Sequence, residues 1–306
     1  MQHHDRRGSW FSADLKRSSD LLFVSDAGTG DVYLYNVPSL TVAARVTGFT
    51  QPQGECSDTH GDVWVTDTNA KVIYKLSHGG HLVSTLSDAN GYPVGCAWDR
   101  RTGNLAVMNL FGLGSTPGNV LVYPYASGNP VEFTNPDQYL YYFGDFDGKG
   151  NLFFDGSTAD GKFMLSELVN GSTVQTIKVT GGTIYYPGMV QWSRSDLVVG
   201  DQSCSNSNNS CLYQLSVEKK TATIENKIQL DDSEGKPVCD LVQGVLIAGS
   251  NVGGSDNDFC GYESPGTYLW SVPAGGVPTA KNLHVDSLPI GAALSTSQHQ
   301  RGKQPL

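Results

Sequence analysis

One seven-residue pattern returns six times along this 306-residue chain. It reads PQGECSD from position 52, PVGCAWD from 93, YFGDFDG from 142, YPGMVQW from 186, PVCDLVQ from 237 and PIGAALS from 289. Its anchors, Gly54, Gly95, Gly144, Gly188, Cys239 and Gly291, follow one another at intervals of 41 to 52 residues. A period of roughly 20 to 50 residues marks a chain that stacks copies of one supersecondary unit, because a single unit cannot bury its own apolar face.

The segments after each anchor repeat as well. A second strand follows as LLFVSDAG at 21, DVWVTDTN at 62, NLAVMNLF at 104, NLFFDGST at 151, DLVVGDQS at 196 and VLIAGSNV at 245. Third strands read DVYLYNV, KVIYKLS, NVLVYPY, KFMLSEL, CLYQLSV and TYLWSVP, and a fourth such as TVAARVTGF closes the unit. Four short strands per unit, with Gly, Asn and Asp turns between them, predict an all-β fold. The expected architecture is a six-bladed β-propeller of four-stranded antiparallel blades. Because the first second-strand begins at Leu21 and the last anchor has no strands after it, segment 289–295 is expected to close the ring as the inner strand of the first blade. SWFSAD at 9–14 is the alternative for that place, but it lacks the P-x-G start. The domain is expected to span 21–295, with tails at 1–20 and 296–306.

With P-x-G followed by a strand, then strands ending in VSD or VTD, then VYLY or VIYK, nearly the whole chain resembles the NHL and YVTN-type repeats of six-bladed propellers. The resemblance implies the fold. It does not select a function, since the superfamily holds binding modules, lactonases, lyases and strictosidine-synthase-like proteins. It also implies that the starts of the inner strands and the loops between second and third strands share one face. Three of those loops are long: NLFGLGSTPGN, DQSCSNSNNSC and SNVGGSDNDFCGYESPG.

The net charge of −10 argues against a nucleic-acid partner, since no Lys/Arg cluster is present to neutralise phosphates. No apolar run is long enough to span a membrane. The first residues are too polar for a signal peptide. Six cysteines, two of them bracketing SCSNSNNSC, suit a disulfide-forming compartment, secreted or bacterial periplasm and envelope; reduced structural thiols are the other reading. Cys204–Cys211 and Cys239–Cys260 are expected as pairs. Cys56 and Cys96 either bridge adjacent inner strands or stay as buried thiols, their side chains being expected on opposite faces of their strands.

Aromatic residues crowd the approach to the inner strands, and Tyr92, Tyr142, Tyr185, Tyr186 and Phe111 are the candidate ligand-binding residues. Rings with an apolar body and a polar tip suit a small molecule, a glycan or a peptide; packing between blades is the plainer role. Directly after the anchors, Glu55, Asp145 and Asp240 place carboxylates on the second, fourth and sixth blades. Three such groups at one level repel each other unless something compensates them. A hard cation, calcium, held by oxygen ligands would do so; amide donors of the neighbouring inner strand, or channel water, would do so equally.

No histidine falls on an expected inner strand and no G-x-S-x-G elbow occurs. Calcium-dependent lactonases of the senescence-marker type carry Glu before a G-P start and Asn or Asp directly before the glycine on later blades, where this chain has Gln53, Val94, Phe143, Pro187, Val238 and Ile290, so that match fails position by position. The resulting expectation is a monomeric propeller that binds a ligand on its loop-rich face. The alternative is a metal-dependent hydrolase or lyase.

Overall fold

The structure is a computed structural model that describes residues 8–12, 20–193, 195–247, 251–257, 260–261, 265–283 and 287–297. Most of both expected tails lies outside these residues, as do His3, His4, His284 and His299.

The chain forms a propeller-like ring of antiparallel sheets. The first sheet contains β1 (Trp10–Phe11), β2 (Asp20–Asp26), β3 (Asp31–Val37), β4 (Thr41–Thr47) and, from the other end of the chain, β25 (Pro289–Ser295), in the order β1-β4-β3-β2-β25. The second holds β5 (Pro52–Ser57), β6 (Val63–Asp67), β7 (Val72–Leu76) and β8 (Leu82–Ser87). The third holds β9 (Gly91–Trp98), β10 (Leu105–Gly112), β11 (Pro117–Tyr123) and β12 (Val131–Phe133). Next come β13 (Leu140–Phe146), β14 (Leu152–Ser157), β15 (Phe163–Val169) and β16 (Thr173–Thr180), then β17 (Pro187–Ser193), β18 (Asp196–Asp201), β19 (Cys211–Glu218) and β20 (Thr221–Gln229). These eight make one sheet, because β16 and β20 pair in parallel through Lys178–Thr180 and Thr221–Thr223. The last sheet is β21 (Gly244–Ile247), β22 (Asn251–Asp256), β23 (Gly266–Ser271) and β24 (Ala280–Asn282).

Six separate four-stranded sheets were expected. Four separate sheets and one double sheet are found, and the first of the four carries a fifth strand. Ring closure is as expected: β25 pairs with β2 from Leu21↔Ser295 to Asp26↔Pro289. Trp10 and Phe11, the alternative for that place, instead pair with Arg45 and Ala44 on the outer edge of the sheet.

Burial explains the strand sequences. The second strands β2, β6 and β18 are buried almost throughout. Each packs against a neighbouring sheet on both faces, so LLFV, VWV and LVV are continuous apolar runs, not alternating ones. Outermost β8 is exposed along nearly its whole length.

The innermost strands touch in the sequence β25, β5, β9, β13, β17, β21 and back to β25. Their spacing accounts for the recurring glycine. A Cβ on Gly291, Gly54 or Gly95 would lie 2.0–2.2 Å from the carbonyl oxygen of Gln53, Val94 or Tyr142 on the next strand. No side chain fits there.

In the last sheet the register differs from expectation. VLIA was expected in a second strand after an inner strand at PVCDLVQ, but Gly244–Ile247 is itself the inner strand and Asn251–Asp256 the second. An apolar run of four suits either place, and Asp240 adopts a φ of 63° that ends any extended strand at that point. All three disulfides form, Cys56–Cys96 included. Residues that meet across two stacked sheets leave opposite faces of their own sheets, so the feature that argued against this bridge is what permits it.

Candidate ligand-binding site

Strand pairing fixes which residues share a level around the ring. Glu55 is opposite Val65, and the equivalent pairs are Ala292 with Val24, Cys96 with Val107, Gly144 with Phe154, Val190 with Val199 and Gly244 with Gly254. Only one acidic residue, Glu55, stands at that level. Asp145 is one residue further along, opposite Phe153 and equivalent to Cys56 opposite Trp64 and Gln191 opposite Val198. Asp240 precedes its strand altogether.

The shifted position has a shared duty. Cys56 bonds Cys96 on the next inner strand, the Trp192 amide donates to Asp145 Oδ2 at 2.9 Å, and the Leu246 amide donates to Gln191 Oε1 at 2.6 Å. Each side chain fastens its strand to the following one. Asp145 also accepts the Phe146 amide at 2.9 Å, yet burial still pushes its pKa up to about 6.

Glu55 is buried, and neither carboxylate oxygen has a hydrogen-bond partner. Desolvation raises its pKa well above the usual value, and the Ala293 amide relieves this only in part, short of a hydrogen bond. The backbone of Glu55 is held by Gln243, whose Oε1 accepts the Glu55 amide at 2.9 Å and the Ala292 amide at 3.3 Å, while its Nε2 donates to the Glu55 carbonyl at 2.8 Å. One side chain from the residue just before β21 thus ties the inner strands of the first and second sheets.

Glu55, Asp145 and Asp240 are not grouped closely enough to share one cation: the first is orphaned, the second is engaged by amides, and the third precedes its strand and accepts from Asn257. Among the described residues the one group of three ligand atoms close enough to share a metal is Asp201, Cys204 and Cys211, and its two sulfurs are bonded to each other.

Four of the five candidate aromatic residues sort into two pairs, with Tyr185 outside both. Tyr92 packs on Phe111 with ring centroids 4.8 Å apart, and Lys71 Nζ lies 4.8 Å from the Tyr92 ring. The Tyr142 hydroxyl meets that of Tyr186 at 2.7 Å, with the rings edge to face at 5.7 Å. Tyr186 remains 41% exposed and Tyr185 39%. Both are positioned by their backbone: Asp201, buried at the end of β18, accepts the Tyr185 and Tyr186 amides at 3.0 Å each. Asp67 receives the Thr50 and Gln51 amides in the same manner, so these two strand-end aspartates staple the approaches to β5 and β17 as well as capping their own turns.

Asp155 had no place in the sequence-based site. It is buried on β14, its oxygens accepting the Phe143 and Gly188 amides at 3.0 Å, which couples β13 to β17 beside the tyrosine pair. Burial raises its pKa well above the usual value. The charges of Asp155 and Asp240 both act on the Tyr142 hydroxyl and, after burial and the Tyr186 contact, hold its pKa far above that of free tyrosine. Asp240 itself is raised by burial and relieved by Asn257, whose Nδ2 donates to Oδ2 at 2.6 Å. The anchor pattern pointed to Asp145 because it is blind to the one-residue offset of Gly144. FFDG in place of VSD or VTD was the only visible sign of Asp155.

No family model and no curated protein matches the sequence. Solved structures do match by shape. A protein of unknown function from Bacteroides caccae superposes with a TM-score of 0.68 at 13% identity, over 91% of this chain and 99% of its own. A functionally unknown protein from Desulfotomaculum acetoxidans gives 0.58 at 10%, over 92% and 100%. A gluconolactonase from Xanthomonas campestris gives 0.58 at 10%, over 94% and 88%. At these identities the likeness is one of fold.

Proposed function

We propose that the protein is a six-bladed propeller of the NHL/YVTN kind, the double sheet being two blades joined at their outer edges, and that it binds a small molecule, glycan or peptide at the tyrosine pair. The observation that carries this is the Tyr142–Tyr186 couple, hydrogen-bonded hydroxyl to hydroxyl with Tyr186 open to solvent. Several features support it as a prepared surface. Both tyrosines belong to the two blades joined by β16 and β20, which Asp145 and Asp155 lock together at the inner strands. Two long loops on the same face are pinned by Cys204–Cys211 and Cys239–Cys260. Binding groups held on a rigid scaffold lose little freedom when a ligand arrives.

Three disulfides, together with the lack of any long apolar helix among the described residues, suit a secreted or periplasmic setting. A screen of glycans, lactones and short peptides by calorimetry tests the assignment. A true ligand loses about tenfold or more in affinity on Tyr186→Ala, the order of a lost buried aromatic contact. Ligands that bind the wild type and the Y142F and Y186A variants equally would place the site elsewhere.

The second reading, a hydrolase acting on a lactone or ester, draws on the gluconolactonase neighbour. Its calcium would need ligands other than the expected three, which do not converge. Calcium titration in the same calorimeter examines it: no heat and no rise in melting temperature removes a calcium-dependent reaction.

A further inference from the structure

Among the described residues three cations lie over aromatic rings. Arg45 lies 6.0 Å from the Tyr33 ring centroid and 2.7 Å from Asp31 Oδ2. Lys75 lies 5.4 Å from the Trp64 ring while bridging Asp58 at 2.8 Å and Asp62 at 3.1 Å. Lys71 Nζ lies 4.8 Å from the Tyr92 ring, which itself packs on Phe111 at 4.8 Å, and no described carboxylate pairs with it. A ring face and a carboxylate attract the same positive charge, and the first two cations have both. The third has the ring alone, and the three donors of its ammonium make no hydrogen bond to a described residue.

The acids of the same stretch have other partners or surroundings. Asp67 accepts the Thr50, Gln51 and Ala70 amides. Asp88 is buried, desolvation pushes its carboxyl above the usual range, and it stops short of an ion pair with Lys71. The backbone gives a second sign that does not depend on charge. Lys71 is the last residue of the turn from β6 to β7, with a φ of 56° and its amide donating to the Asp67 carbonyl at 2.8 Å. In the first sheet the same place is held by Gly30, with a φ of 72° and its amide donating to the Asp26 carbonyl at 2.9 Å. A left-handed backbone costs a residue with a side chain more than it costs glycine, so the turn alone calls for glycine. Turn chemistry does not account for the lysine, and what its side chain reaches is Tyr92 on the next sheet.

We propose that Lys71, Tyr92 and Phe111 form a subsite for an organic carboxylate, whose anion completes the ring and cation as Asp31 does for Arg45 and Asp58 for Lys75, and whose apolar body lies along the two rings. The subsite is separate from the tyrosine pair: Lys71 comes from the second sheet, Tyr92 and Phe111 from the third, and it stands whether or not a ligand binds at Tyr142 and Tyr186. An ammonium is a point charge, not the planar fork that grips a phosphate in two places, so one negative charge suits it. The net charge of −10 acts in the same sense, because it repels a multiply charged anion more strongly than a monocarboxylate. The aromatic wall favours a carboxylate with an apolar body over a small inorganic anion.

Phenylacetate and its uncharged analogue phenylacetamide are the probes, titrated calorimetrically into the folded, disulfide-intact protein. Saturable phenylacetate binding is expected, at least about tenfold tighter than the amide. Lys71→Gln should bring the two probes to equal affinity, Phe111→Ala should weaken both, and Lys162→Gln, at an exposed lysine already paired with Asp160, should change neither. Lys71→Gly, which gives the turn the residue found at Gly30, should match K71Q in binding while keeping the melting temperature of the wild type, and so separates loss of the charge from loss of the fold. Phenylacetate binding that K71Q leaves unchanged, that is no tighter than the amide, or that is absent up to about 20 mM overturns the subsite. Binding lost on Y186A but kept in K71Q moves the carboxylate to the tyrosine pair and equally ends the proposal. Inorganic phosphate that binds more tightly than phenylacetate in a Lys71-dependent manner overturns the carboxylate assignment.

Discussion

Asp145 and Glu55 stand one position apart in the same register, and their surroundings set them opposite tasks. Asp145 gathers two amides and binds β13 to β17; Glu55 has none, and its backbone, not its side chain, joins the ring through Gln243. Asp145 carries a pH signature. Its pKa is about 6 in the folded protein against 3.8 in the free side chain, so the folded state holds the proton more tightly. Stability therefore falls as pH rises from about 4 to about 6, and the full loss, about 3 kcal/mol at 1.36 kcal/mol per pKa unit, is present above that window. Asp145→Asn cannot titrate. Unfolding free energies of both proteins from denaturant titrations between pH 3.5 and 7 should show the wild type losing about 3 kcal/mol relative to Asp145→Asn as pH rises across the window; parallel curves would show that Asp145 is not buried as described. At this scale the sequence was informative where a residue's duty is steric. Gly54, Gly95 and Gly291 were legible as anchors because any side chain there strikes a carbonyl. Asp155 was not, because what matters is that its oxygens reach Phe143 and Gly188, contacts between strands far apart in the chain.

Among the elements, the inner strands are fastened by different chemistry at an equivalent position: a disulfide from Cys56, a carboxylate from Asp145 and a carboxamide from Gln191. The disulfides differ in the loops they close. Cys56–Cys96 spans 40 residues and Cys204–Cys211 spans 7, so loss of chain entropy in the unfolded state makes the first worth about 4 kcal/mol and the second about 2. Double serine variants of each pair, unfolded in guanidinium, should rank in that order. The reverse ranking would mean that the loop disulfide holds more structure than its own turn. Strand existence was readable from the apolar runs, while the start of β21 was not. VLIA satisfies the burial of an inner or a second strand equally, and the choice falls to Asp240 and the disulfide at Cys239 that draws the preceding segment toward Cys260.

Across the whole molecule, closure is the cooperative step. β25 supplies the inner strand of the first sheet and also touches β5 and β21 on either side. Truncation after Leu288 should therefore abolish a single cooperative unfolding transition, whereas removal of residues 1–12 with the peripheral β1 should leave one; a cooperative transition in the shorter C-terminal variant would show that the ring closes without it. The periodic P-x-G starts, the apolar runs and the orphan segment at 289–295 determined the all-β ring and its closure, because each repeat needs neighbours on both faces and so prints its period into the chain. The identity of the polar site was decided only in three dimensions. A one-residue offset in pairing, invisible to an alignment on glycine, moves Asp145 into an interstrand bond and leaves Glu55 the one carboxylate at its level, while Tyr142 and Tyr186 meet from two different segments of the chain.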